Sequence, residues 1–127
     1  MCLIVGGETT VTVSGEGSGG RCQEFALAAA LELDGATGLT VLAAGTDGTD
    51  GPTDAAGAVA DGGTVRRAAA VGADPRRCLM ENDSHRLFAA LGDLIVSGPT
   101  ASNLLDLYVV LVDELASVRA PASRARP

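Results

Sequence analysis

The sequence predicts a single α/β domain, a mixed β-sheet of about four to six strands covered by helices. Three observations point to it. Short apolar runs of strand length, at Cys2–Val5, Thr40–Ala44, Leu94–Ser97 and Leu107–Val112, are separated by segments with helical patterning. At 127 residues the chain has the size of one domain. Hydrophobic residues make up 46% of it, yet Phe25, Phe88 and Tyr108 are the only aromatics, so Ala, Val and Leu must build the core. Ala-rich helices can lie close against a sheet, which suits a layered α/β packing.

The elements follow in order. Cys2–Val5 is a short apolar strand before Gly6-Gly7, and Thr9–Val13 alternates in the strand manner. Gly15–Gly20 is a glycine loop. Arg21–Leu33 reads as a helix, free of internal Gly and Pro and stopped at Asp34-Gly35. Thr40–Ala44 is continuous in hydrophobicity and therefore a central strand. Asp54–Ala60 is expected to hold a helical turn, capped by Asp54. Thr64 opens a helix through Val71 that ends at Gly72. Asp74-Pro75 is a cap followed by proline at the first helical position, opening a turn to Met80. Asn82 or Asp83 caps a further helix that buries Leu87, Phe88 and Leu91 and stops at Gly92. The strands at Leu94 and Leu107 flank a polar turn. The folded domain is expected to span residues 1–114. Pro, Ala, Ser and Arg dominate residues 115–127, which are expected to form a disordered tail.

Charge and cysteine usage exclude several function classes. Nine arginines and no lysine stand against 16 acids, a net charge of −7. Such a chain offers no basic stripe to displace phosphate counterions, so nucleic acid is not an expected partner. Without lysine there is no Walker-type phosphate loop. Cys2, Cys22 and Cys78 are odd in number and lack C-x-x-C spacing, which fits neither a disulfide framework nor a zinc knuckle. No apolar stretch is long enough for a membrane span or signal peptide. A cytoplasmic location is expected.

Three polar loops carry the chemistry. The segment Gly45-Thr46-Asp47-Gly48-Thr49-Asp50-Gly51-Pro52-Thr53-Asp54 hangs three carboxylates on one tight connection leaving a buried strand. The carboxyl ends of strands in open α/β sheets are where small ligands bind. Asp47 and Asp50 lack calcium-loop spacing, which leaves holding Mg²⁺, accepting a substrate hydroxyl proton, or plain turn and cap formation. Gly15-Glu16-Gly17-Ser18-Gly19-Gly20 satisfies G-x-G-x-x-G. It reads as a dinucleotide fingerprint, a flexible turn, or a loop bringing amides and a helix N-terminus to an anion. Arg21 follows it in the first helical turn, where a cation opposes the helix dipole. It is either in a surface ion pair, for instance with Glu24, or a fork for carboxylate or phosphate. Cys22 beside it is either a small buried residue or a thiol of depressed pKa. Ser97–Asn103 is the third loop; it shares an edge with the acidic loop if their strands run the same way. His85, the only histidine, is expected at the solvent surface.

These segments, in this order, resemble the MOFRL domain, the C-terminal part of glycerate 2-kinases often labelled hydroxypyruvate reductases. The resemblance rests on Gly6-Gly7-Glu8-Thr9-Thr10-Val11-Thr12-Val13, Gly19-Gly20-Arg21-Cys22-Gln23-Glu24, the acidic loop from Gly45 to Gly57, Glu81-Asn82-Asp83-Ser84, and Gly98-Pro99-Thr100 with Asn103 and Asp106. It covers Cys2 to Val112. The family usually has Asn at the place of Cys22 and an aromatic residue at that of His85.

The resemblance implies ATP-dependent phosphorylation of D-glycerate at its 2-hydroxyl, with Mg²⁺. It also implies closure of a cleft against a larger Rossmann-like N-terminal domain, which is missing here and is either lost or carried by a separate chain. On that reading Arg21, Asp47 and Asp50 are the catalytic candidates, with Asp47 and Asp50 also candidates for Mg²⁺. Gly19, Gly20, Thr46, Gly48, Thr100 and Asn103 are candidates for substrate and phosphate binding. The chain alone is expected to turn over little or nothing. The competing reading is a non-catalytic glycerate- or nucleotide-binding module, or an inactive remnant.

Overall fold

The computed structural model describes residues 1–118. Five strands, β1 (Cys2–Gly7), β2 (Thr37–Gly45), β3 (Gly57–Asp61), β4 (Leu94–Ile95) and β5 (Asp106–Ser117), form one sheet in the order β1-β5-β2-β3-β4. Four helices, α1 (Arg21–Glu32), α2 (Thr64–Ala70), α3 (Pro75–Met80) and α4 (Ser84–Leu91), complete the domain. β2 is the central strand, as its unbroken apolar run requires. The pairings are antiparallel throughout rather than mixed. For β2 and β3 the reason is local: β2 returns directly as β3 through the acidic loop, so no helical crossover separates them, and a parallel neighbour needs one; β3 and β4 are antiparallel although α2, α3 and α4 lie between them.

One face of the sheet carries the core. The register places Val41, Ala43, Ala58, Ala60 and Tyr108 on a common face, and all are buried. Ala26, Leu27 and Ala30 of α1 pack on Ala58 and Ala60, and Ala68, Cys78, Leu87 and Phe88 bring α2, α3 and α4 into the same cluster. Small side chains on both α1 and β3 allow the close approach that an aromatic-poor core needs. Asp74 caps α3 as its sequence position implies, accepting from the amides of Arg76 and Arg77 at 3.0 and 3.3 Å.

Two expected elements come out differently. The segment expected as a helical turn, Asp54–Ala60, is largely strand β3. Its alanines have good helix propensity, but Gly57 fits only where no side chain exists: an added Cβ would lie 1.8 Å from the Ala43 carbonyl oxygen. The ladder with β2 therefore decides its state. Thr9–Val13 has the strand pattern and is not a strand. Pairing of β1 with β5 ends at Gly7↔Asp106, and the chain before Asp106 turns away at Leu105, whose φ is +67°. Strand propensity without a partner ladder leaves backbone groups unpaired. At the other boundary β5 continues to Ser117, into the segment expected to be tail; residues 119–127 of that expected tail lie outside the described residues.

Candidate functional site

β2 and β4 both run antiparallel to β3, so they point the same way, and the loops that follow them share an edge. The glycine loop reaches that edge too. Together they border a cleft of about 720 Å³ whose lining includes Glu8, Gly19, Gly20, Arg21, Asp47, Asp50, Asn103 and Asp106. Thr46, Gly48 and Thr100 are not in its lining; the two threonines tie the loops together. The Thr46 hydroxyl donates to the Leu105 carbonyl and accepts from the Leu104 amide, both at 2.7 Å. The Thr100 hydroxyl donates to the Thr46 carbonyl, and its amide donates to the Asp47 carbonyl at 3.2 Å.

Arg21 stands at the mouth of α1 between two carboxylates. Its Nε and Nη2 donate to the two oxygens of Asp106 at 3.2 Å each, and Nη1 lies 2.8 Å from Glu8. Asp106 is 3% exposed and also accepts from the Tyr108 hydroxyl at 3.3 Å. The hydrogen bonds it donates to Asp106, with the Asp106 and Glu8 charges, raise the guanidinium's affinity for its proton still further. Glu24, named from sequence as one possible ion-pair partner of Arg21, instead accepts from Asn82 Nδ2 at 2.6 Å. Arg21 keeps 41% of its side chain exposed to the cleft.

Asp50 has a role that sequence spacing did not reveal. It is 4% exposed, and its Oδ1 accepts from the Cys22 amide while Oδ2 accepts from the Gln23 amide and Gln23 Nε2, all at 2.9 Å. A carboxylate from a distant loop thus caps α1 and meets the positive end of its dipole. Gly20 makes room for it: a Cβ there would lie 2.3 Å from Asp50 Cγ. Among the described residues the amides of Gly19, Gly20 and Arg21 have no acceptor, so three N–H donors remain at the helix mouth. The dinucleotide reading of this loop falls away, because it follows no strand and opens no parallel βαβ unit.

The remaining candidates divide cleanly. Asp47 is half-buried; its Oδ1 accepts from the Thr49 amide at 3.0 Å, and Oδ2 has no partner among the described residues. Asn103 Oδ1 accepts from the Leu105 amide at 3.2 Å. Cys22 is fully buried, and burial, aided by the Asp50 and Asp106 charges, pushes its thiol well above the usual range. The depressed-thiol alternative is thereby overturned: Arg21 lowers the value, but desolvation outweighs it. Among the described residues Asp54 caps no helix; it meets His85 Nε2 at 3.0 Å, which leaves His85 half-buried rather than free in solvent. No three His, Cys, Asp or Glu side chains gather as a metal cluster among the described residues.

The sequence offered Asn82 or Asp83 as the cap of α4; Asp83 holds the cap position without a side-chain cap hydrogen bond, and Asn82 has a different role. Its Oδ1 accepts from the Ser14 and Gly15 amides at 2.8 Å each, and Nδ2 donates to the Thr12 carbonyl and to Glu24. Its φ is +53°, a region Asn tolerates better than most residues. One amide side chain therefore pins the loop that forms one wall of the cleft. Asn82→Ala is expected to cost about 2–3 kcal/mol and to speed amide exchange at Ser14 and Gly15. Unchanged exchange at both amides would show that the loop is held by something else.

Comparison with known proteins places this geometry. The profile of the MOFRL family matches residues 1–106. The D-glycerate 2-kinase of Thermotoga maritima is 51% identical over 110 residues, covering 87% of this chain and 26% of that protein. The glycerate kinase of Danio rerio is 46% identical over 117 residues, covering 87% of this chain and 23% of that protein. The crystal structure of the Thermotoga maritima glycerate kinase superposes with a TM-score of 0.86 at 50% identity, over 88% of this chain and 27% of that one. The chain thus spans about a quarter of the length of the curated relatives it matches, in their C-terminal portion.

Proposed function

The chain belongs to the MOFRL family, and from that premise we propose that it serves as the C-terminal portion of a glycerate 2-kinase, with D-glycerate phosphorylated by ATP at its 2-hydroxyl. The observation that carries the reading is the charge of the cleft. Glu8, Glu24, Asp47, Asp50 and Asp106 line it against the single cation Arg21. Phosphoryl transfer depends on positioning and on neutralising phosphate charge. Arg21 and the amides of Gly19, Gly20 and Arg21, unpaired among the described residues, offer one small anion site, enough for a single carboxylate, while the five acids around it repel a triphosphate.

In this reading the chain holds glycerate. Arg21 and the amides of Gly19 and Gly20 meet the substrate carboxylate, and Asp47 Oδ2 receives the 2-hydroxyl proton. Asn103 borders the same space. The residues present do not fit a resident Mg²⁺ site: Asp50 spends both oxygens on α1, Glu8 and Asp106 pair with Arg21, Glu24 meets Asn82, and no three His, Cys, Asp or Glu side chains gather among the described residues. ATP, its metal ion and further cationic side chains therefore fall to the part of the kinase that this chain does not span.

A chimera tests this. The chain replaces the matching quarter of the Thermotoga maritima kinase, and phosphorylation of D-glycerate is followed for the chimera and for the full chain alone. Turnover is expected from the chimera and not from the chain. A folded chimera without turnover, or turnover by the chain alone, would sink the proposal.

A further inference from the structure

The second face of the sheet is as apolar as the first. Ile4, Val109, Leu42 and Val59 form one row across four strands, each opposite the next in register. Leu107 and Leu111 flank Val109 on the same face of β5. This face is exposed or half-buried, with Ile4 at 64% and Leu111 at 46%, while Tyr108, Ala43 and Ala58 on the helix side are buried. Antiparallel sheets that meet water on one face alternate apolar with polar residues; strands covered on both faces read as near-continuous apolar runs. Thr40 is the one polar residue in Leu39–Ala44, and Leu107–Val112 has only Tyr108, which points to the core face. The sequence is that of a sheet covered twice. Among the described residues it is covered once.

We infer that this open face is a docking surface for helices with apolar faces, supplied by the part of a glycerate kinase that this chain does not span. The inference rests on the kinase reading for the identity of the occupant. Two observations favour that occupant over a second copy of the chain. The relatives carry most of their length outside the match, so ample chain exists to form the missing layer. The chain's net charge of −7 sets two copies against each other, whereas the partner that completes the cleft must bring cations. The surface is distinct from the cleft: Arg21 and Asp106 lie at the sheet edge on the helix-covered side, and the apolar row lies on the opposite side.

Thiol labelling tests the surface without needing turnover. With Cys2→Ser removing the exposed native thiol, Leu111→Cys is compared in the full chain and in the Thermotoga chimera. Labelling is expected to slow about tenfold or more in the chimera, since docked faces exclude water. Arg86→Cys, on the helix side with 75% of its side chain exposed, should label alike in both. Equal rates at Leu111→Cys would overturn the inference. So would concentration-dependent protection in the full chain alone, which would assign the face to a second copy. Val109→Lys in the full chain gives a second reading. Its melting temperature should stay within about 2–3 °C of the parent, as for a surface site; outright unfolding would make the row part of this chain's own core and overturn the inference. A protected but inactive chimera would sink the kinase reading and leave the surface standing. An active chimera with unprotected Leu111→Cys would do the reverse.

Discussion

Asp50→Ala is expected to cost the domain about 4 kcal/mol or more, because three hydrogen bonds to a buried charge vanish and their donors stay buried. For a fold whose total stability is about 5–15 kcal/mol, that is a fall in melting temperature of roughly 15 °C or more. The donors at risk are the Cys22 and Gln23 amides and Gln23 Nε2, each 2.9 Å from an Asp50 oxygen. Gly20→Ala should do similar damage from the other side, by pushing the same carboxylate off the helix. Asp47→Ala makes the contrast: it loses one bond within a turn, about 0.5–1 kcal/mol. Urea unfolding of the three variants measures this directly. If Asp50→Ala unfolds at the parent's midpoint, Asp50 is not the cap of α1 and its place in the chemistry reopens.

Arg21→Lys is expected to cut kcat/KM of the active chimera about a hundredfold, equivalent to about 2.7 kcal/mol of transition-state stabilisation, with little change in melting temperature. The geometry is the reason. Arg21 spends Nε and Nη2 on the fork to Asp106 and one nitrogen on Glu8, while its exposed edge faces the cleft. A lysine ammonium satisfies one carboxylate as a point charge but presents no second, oriented set of donors to a substrate carboxylate. The ion pair is partly solvated, so its own contribution to stability is small. Steady-state kinetics together with thermal melting separate the two effects. Near-parent kinetics for Arg21→Lys would remove it from the substrate site, and a large fall in melting temperature with unchanged kinetics would make it structural.

The sequence by itself determined whatever local pattern and motif order can carry. Arg21–Leu33 reads as a helix because formers run unbroken to Asp34-Gly35, and α1 lies there. Asp74-Pro75 announces a capped turn, and Asp74 caps it. The unbroken apolar run at Thr40–Ala44 makes β2 central. Five motifs in order resemble the MOFRL domain, and the family match confirms that resemblance. That the acidic loop and the Ser97–Asn103 loop share an edge was legible on the condition that their strands run the same way, as β2 and β4 do; the glycine loop joins them without following a strand.

Only the tertiary structure decided the rest, because it depends on residues far apart in the chain. Asp54–Ala60 has alanine's helix propensity, yet the approach of the Ala43 carbonyl to Gly57 makes it a strand. Thr9–Val13 has the strand pattern, yet the turn at Leu105 leaves it no ladder. Asp47 and Asp50 are three residues apart in one acidic loop and look alike in sequence. Packing against Gly20 buries one on the mouth of α1, while the other keeps an oxygen free toward the cleft. The electrostatic environment of a carboxylate is set by which N–H donors surround it, and those donors come from residues 27 and 28 positions away.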